Sequence, residues 1–192
     1  MKPARLLRPR ALLAALLWGT VLAAASNAPA WADDDTLVAQ RRIEAAYLFK
    51  FGAYISWPAT SFASQDSPLV IGVAGDDDMA DELSTLVAGR NVNGRPVVVK
   101  TVRSGQDTQG MHLLFVAAGT EHGDAMIQAL HNRPTVTVTE GAGGLGMGAD
   151  VTFVLVNDRV RFDIALDVAE RDGVKMSSQL LSVADKVIGA KP

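Results

Sequence analysis

Three sets of residues have types and spacings that chemistry can use. Asp76, Asp77 and Asp78 follow directly on the apolar run Leu69–Val73, at the edge where open parallel sheets hold ligands. Clustered carboxylates there could bind Mg²⁺ or Ca²⁺, but no glycine-punctuated calcium loop follows them. An aspartate ahead of an apolar periodic segment is also what caps a helix and complements its dipole, and this reading is preferred. Residues 141–146 read GAGGLG and match GxGxxG, a loop that presents pyrophosphate to a helix N-terminus and therefore needs a helix immediately after it. A β-branched run follows instead, so a hairpin or bulge loop is expected. His112, His122 and His131 form no HxxxH or HExxH pair, and a zinc site would have to draw its ligands from distant segments. They read as a strand residue, a helix-cap residue and a residue at a helix C-terminus. Neither GxSxG nor SxxK occurs, and Ser177-Ser178 reads as a helix cap. The chain has no cysteine, which removes thiol nucleophiles, CxxC redox pairs, thiolate zinc sites and iron–sulfur clusters. No catalytic residue, metal site or cofactor is assigned, and the chain is expected not to be an enzyme.

The elements that must position these residues alternate. Arg41–Trp57 is expected to be a helix with a wide aromatic face comprising Ile43, Ala46, Tyr47, Phe51, Tyr54 and Ile55, closed by Trp57-Pro58. Leu69–Val73 has the continuous apolar character of a strand covered on both sides. Asp76–Ala88 reads as a capped helix stopped by Gly89, Asn93-Gly94 as a turn, and Pro96–Val102 as a β-branched strand. Met111–Ala117, Glu121–His131 and Pro134–Thr139 repeat the strand, helix, strand order. Val151–Val156 and Arg159–Leu166 form a hairpin across Asn157-Asp158. A helical segment at Asp167–Glu170, a break at Asp172-Gly173 and a final helix from Ser177 to Ile188 complete the chain. The expected fold is therefore an α/β single-domain sandwich, with a mostly parallel central sheet, helices on both faces and a C-terminal antiparallel hairpin.

Composition narrows the partners. Lys2, Arg5, Arg8 and Arg10 precede the uncharged run Ala11–Ala25, the pattern of a secretory signal. Cleavage is expected after Ala32, with Ala30 as the alternative, which makes residues 1–32 a signal peptide, 33–40 a mature N-terminus without fixed structure, and 41–188 the folded domain. Cleavage there removes four of the 18 basic residues and none of the 21 acidic ones, so the formal charge moves from −3 to −7. An acidic domain without a basic stripe suits neither nucleic acid nor anionic lipid. The mature chain is expected in the periplasm, with no direct insertion into the membrane.

Two segments carry a resemblance. Residues 44–58, EAAYLFKFGAYISWP, are similar to the opening KAAFLYNFxxFxxWP of the YfiR family, and residues 161–181, RFDIALDVAERDGVKMSSQLL, to its closing RFEINLxAAxxAGLxISSxLLxLA. Interior segments SPLVIGVAGD (67–76), GRNVNGRP (89–96) and GMHLLF (110–115) fall in the same order. The resemblance implies an α/β sandwich, often dimeric. It also implies a periplasmic regulator that binds the outward-facing part of a membrane-embedded signalling protein, in the prototype a diguanylate cyclase of the YfiN type, and represses it. This chain departs from the pattern at Met111, where cysteine is frequent, and at Lys50, Thr152 and Ala165, where asparagine is usual. Disulfide-dependent regulation therefore cannot apply here.

The closing segment offers its own interaction reading. Phe162, Val174, Met176 and Leu180 lie close in sequence to Glu170 and Lys175, around the break at Gly173, and a flexible methionine beside an aromatic residue and a charged rim suits a protein contact. Phe162, Glu170, Val174, Met176 and Leu180 are taken as candidate partner-binding residues; the competing reading places the apolar four in the core. A periplasmic small-ligand binder, with its site near Asp76 or the 141–148 loop, is the alternative function. A metal-assisted hydrolase using Asp76–Asp78 with His112 or His122 ranks last, because no nucleophile, base and orienting group can be assembled.

Overall fold

The computed structural model describes residues 31–103, 108–141 and 143–189, without the side chains of 31–34. The signal peptide expected over residues 1–32 lies outside these residues except for its last two positions, and Ala142 of the glycine run lies outside them as well. Helix α1 (Trp31–Tyr54) is followed by β1 (Ile55–Ser56), β2 (Leu69–Ala74), α2 (Asp77–Val87), β3 (Asn91–Val92), β4 (Arg95–Val102), β5 (Leu113–Val116) and α3 (Gly123–Ala129). Then come β6 (Val136–Glu140), β7 (Val151–Val156), β8 (Arg159–Ala165), α4 (Leu166–Arg171), β9 (Lys175–Met176), α5 (Ser178–Val183) and β10 (Lys186–Ile188).

Eight strands form one sheet in the order β10-β8-β7-β6-β5-β2-β4-β3, while β1 and β9 make a separate antiparallel pair. All neighbours in the large sheet are parallel except β7–β8 and β3–β4. Both exceptions are tight hairpins. Asn157 and Asp158, with φ of 50° and 59°, turn between β7 and β8, the left-handed pair that matches strand twist in a two-residue loop. The α/β sandwich with its mostly parallel sheet and C-terminal hairpin is thus as expected. One face is covered by α1, α2, α4 and α5, whose Leu48, Phe51, Met79, Leu83, Ala169 and Leu180 pack on Ile71, Phe115, Val138, Phe153 and Phe162. On the reverse face, α3 contributes Met126 and Ile127 against Val70, Leu114 and Val116.

Three boundaries differ from the sequence reading. α1 runs back to Trp31, so the stretch 33–40, expected to lack structure, is helical; it holds no glycine or proline to stop a helix. At its other end α1 stops at Tyr54, because Ile55 and Ser56 pair with Met176 and Lys175. The buried stripe of α1 is Ala45, Leu48 and Phe51, continued by Ile55, leaving Ile43 and Tyr54 exposed. Gly52 lets this helix lie close to the sheet, since a Cβ there would come within 2.6 Å of Leu69 Cδ2. The third difference is the final helix, which ends at Val183; Lys186–Ile188 instead extends the sheet parallel to Asp163–Ala165. β8 would otherwise be an open edge of unpaired backbone groups.

Candidate partner-binding site

Residues that could have done chemistry are held in structural roles. Asp76 is the N-cap of α2: its Oδ1 accepts a hydrogen bond from the Met79 N–H at 2.9 Å and its Oδ2 one from Arg41 Nε at 3.2 Å. Arg41 also reaches Asp78 at 3.5 Å. His112 is buried, stacks on Phe62 with ring centroids 4.2 Å apart and accepts the Val70 N–H at Nδ1. That bond leaves the ring proton on Nε2, 3.2 Å from the Ser61 carbonyl. Burial, with Arg95 nearby, holds the His112 pKa below its ordinary value and keeps the ring neutral. His122 occupies the N-cap position of α3 in a left-handed conformation without a side-chain capping bond, and His131 Nε2 meets the Gly148 carbonyl. Among the described residues no three His, Cys, Asp or Glu side chains gather as a metal site. The glycine run leads through a 3-10 turn, Leu145–Met147, into β7 rather than into a helix.

Two carboxylates are displaced from their usual ionisation. Glu44 on α1 is pushed up to about 7, chiefly by burial, against the hydrogen bond it accepts from Gln40. Asp150, at the start of β7, is also raised to about 7 by burial, although its Oδ2 accepts bonds from both the Thr137 N–H and the Thr137 hydroxyl at 2.7 Å. Each group is a polar element of the core: Glu44 lies 32 residues before Asp76, and Asp150 follows the glycine loop directly.

The closing segment has a definite architecture. α4 ends in a Schellman motif: the Val174 N–H reaches the Ala169 carbonyl and the Gly173 N–H that of Glu170, both at 3.1 Å, with Gly173 left-handed at φ 83°. Asp172 is locked below by the Asn132 N–H at 2.6 Å and by Arg171. β9 then pairs with β1, the Ser177 N–H reaches the Tyr54 carbonyl, and the Ser177 hydroxyl caps α5 as expected by accepting the Leu180 N–H.

This geometry divides the five candidate residues. Glu170, Val174 and Met176 line one surface groove of about 490 Å³ together with Leu166, Lys175 and Leu181. Phe162 and Leu180 line a different cavity, beside α1. Phe162, Val174 and Leu180 are 1%, 1% and 3% exposed, as the core reading of these residues requires. Alternation along β8 points Phe162 into the core, the Schellman contact buries Val174, and the face of α5 turned to the sheet carries Leu180. Met176 is half-buried and Glu170 and Lys175 are exposed. Leu166 and Leu181 were missed; only the fold brings the start of α4 next to α5, although Leu181 falls within the similar closing segment.

The parallel core is flanked by helices, Asp76, His112, Asp150 and Ser177 are engaged in cap or core hydrogen bonds, and the C-terminal elements frame a groove. The profile of the YfiR/HmsC-like family matches residues 41–185, and the chain belongs to that family. This is a regulatory family, in general periplasmic. A search of curated proteins gave no match. Among the described residues no helix is long and apolar enough to cross a membrane.

Proposed function

We propose that the chain is a periplasmic regulator that binds the periplasmic part of an inner-membrane diguanylate cyclase of the YfiN type and represses it, lowering cyclic-di-GMP and biofilm formation. Membership of the YfiR/HmsC-like family over residues 41–185 carries this reading. The groove beside α4 and β9 is the docking surface within it. Its floor is apolar (Leu166, Val174, Met176, Leu181), its rim bears one acid and one base, Glu170 and Lys175, and a polar rim around an apolar centre is the anatomy of a protein interface. The proposal includes a homodimer.

The test is cyclic-di-GMP in cells co-expressing the cyclase, beside circular dichroism and melting of each purified variant. Met176→Asp should retain the fold, because β9 pairs through its backbone, and should abolish repression, since a charge desolvated at an interface centre costs on the order of 2 kcal/mol or more. Val174→Asp should fail by unfolding. A folded Met176→Asp protein that still represses would place docking elsewhere, with the aromatic helix around Tyr47 and Tyr54 the next surface to test.

A further inference from the structure

We infer that the cavity bounded by α1, β8 and α5 is a binding site for a small organic anion with an apolar body, separate from the Glu170–Met176 groove. The cavity measures about 500 Å³, within the range of small-molecule sites. Its floor is made of core residues: Phe51 and Phe162, both 1% exposed, meet edge to face with centroids 5.1 Å apart, and Leu180 lies beside them. Tyr47 stacks on Phe51 at 6.1 Å. These rings are fixed by packing before any ligand arrives, so an apolar body would meet a preformed wall rather than one it must order.

The charges around this wall are all of one sign. Lys50 and Arg161 line the cavity, and its described lining includes no carboxylate, in a chain whose acids outnumber its bases 21 to 18. Six of the other described arginines are engaged: Arg41, Arg42, Arg103 and Arg171 contact carboxylates, while Arg90 and Arg95 sit over phenylalanine rings. Among the described residues neither Lys50 nor Arg161 forms an ion pair, and Arg161 Nη2 reaches only the Val183 carbonyl at 3.5 Å. Two uncommitted cations beside a low-dielectric wall concentrate anions. Arg161 can grip a carboxylate or a phosphate-type oxygen pair through its planar fork, with Lys50 as a second point charge. Gln179 and Ser182 on the α5 side add neutral polar groups for orientation.

Isothermal titration of the purified mature protein with 1-naphthoate and with dodecanoate tests the site, against the neutral 1-naphthalenemethanol. At least one anion should bind in the micromolar range, the tighter of the two showing whether the body is a ring or a chain. The neutral alcohol should bind at least ten-fold more weakly. Lys50→Gln and Arg161→Gln should each weaken the anion about ten-fold, equal to about 1.4 kcal/mol, with unchanged melting of the free protein. Raised salt should weaken binding further. Met176→Asp should leave anion affinity intact, which separates this site from partner docking. Three results would overturn the inference: no binding of either anion at 1 mM, equal binding of anion and alcohol, or undiminished affinity in the folded Lys50→Gln/Arg161→Gln double variant. Loss of cyclase repression in that double variant, without anion binding to the wild type, would reassign the cavity to a protein partner.

Discussion

Beneath α1, α2, α4 and α5 the sheet presents Ile71, Val73, Phe115, Val138, Phe153 and Phe162, an unbroken apolar layer. The reverse face is divided. Under α3 it is apolar, with Val70, Leu114 and Val116, but along β6, β7 and β8 the side chains facing the 143–148 loop are Thr137, Thr139, Thr152 and Asp163, all buried, with Asp150 beside them. The loop lies directly on this patch: a Cβ on Gly144 would come within 2.4 Å of Thr152 Oγ1. Burial on the first face is non-directional and scales with area. On the second it depends on pairing, and among the described residues Oδ1 of Asp150 and Oδ1 of Asp163 find no hydrogen-bond donor. The apolar face should therefore supply most of the stability, while the polar patch makes that stability depend on pH through Asp150.

The largest expected effect breaks the apolar face. Phe51 touches Tyr47, Phe153 and Phe162, so Phe51→Ala should cost about 3–5 kcal/mol through lost transfer energy and a residual cavity, read by urea denaturation. A loss below about 1 kcal/mol would mean that the face can collapse around the gap, and that the contrast between the two faces is wrong.

The next effect isolates the polar patch. Asp150 has a folded pKa of about 7, above the unfolded value of about 4, so the folded state holds the extra proton between these limits. Its contribution is largest below pH 4, falls as pH rises through about 7, and is flat above. Asp150→Asn keeps an oxygen for the Thr137 N–H and removes this decline; relative to wild type it should gain on the order of 1–3 kcal/mol between pH 5 and 8. His112 acts in the opposite sense, because its lowered pKa lets the unfolded chain take up protons first as pH falls below about 6.5. Glu44 contributes a second decline of the same sign as Asp150. The comparison is therefore between Asp150→Asn and wild type at each pH, by denaturant titration, and a difference independent of pH would remove the assigned cause.

How far the sequence could be read follows the same division. Continuous apolar strands and capped helices follow from local periodicity, so β2, α2, β4, β5 and the β7–β8 hairpin were legible. Two-residue pairs such as β1–β9 have no local pattern, and Lys186–Ile188 looks like the end of a helix until β8 needs an edge partner, a tertiary demand that overrides propensity. The candidate site was legible as a segment but not as a surface. Phe162, Val174, Met176 and Leu180 share a short stretch, yet nearness in sequence does not say which side chain faces water. Leu166 and Leu181 reach the groove only because α4 and α5 are folded against each other, and Lys50 reaches the Arg161 cavity only because α1 crosses β8.

The smallest expected effect concerns the edge where α2, on the apolar face, begins. Asp76 both caps α2 through Met79 and pairs with Arg41, and the two roles separate by substitution. Asp76→Asn retains an oxygen for the Met79 N–H and gives up the charge; because Arg41 is about one-quarter exposed and also reaches Asp78, the loss should stay near about 0.5 kcal/mol. Asp76→Ala removes the cap too and should cost about 1 kcal/mol, a melting shift of a few degrees for a domain of this size. Met79 and Leu83 are buried against the sheet, so α2 should remain folded in both variants, as judged by circular dichroism. If the helix unravels when its cap is lost, packing alone does not hold the apolar face together. The same melts run with EDTA, Mg²⁺ or Ca²⁺ should superimpose; a cation shift present in wild type and lost in Asp76→Asn would show that these carboxylates bind metal rather than cap a helix.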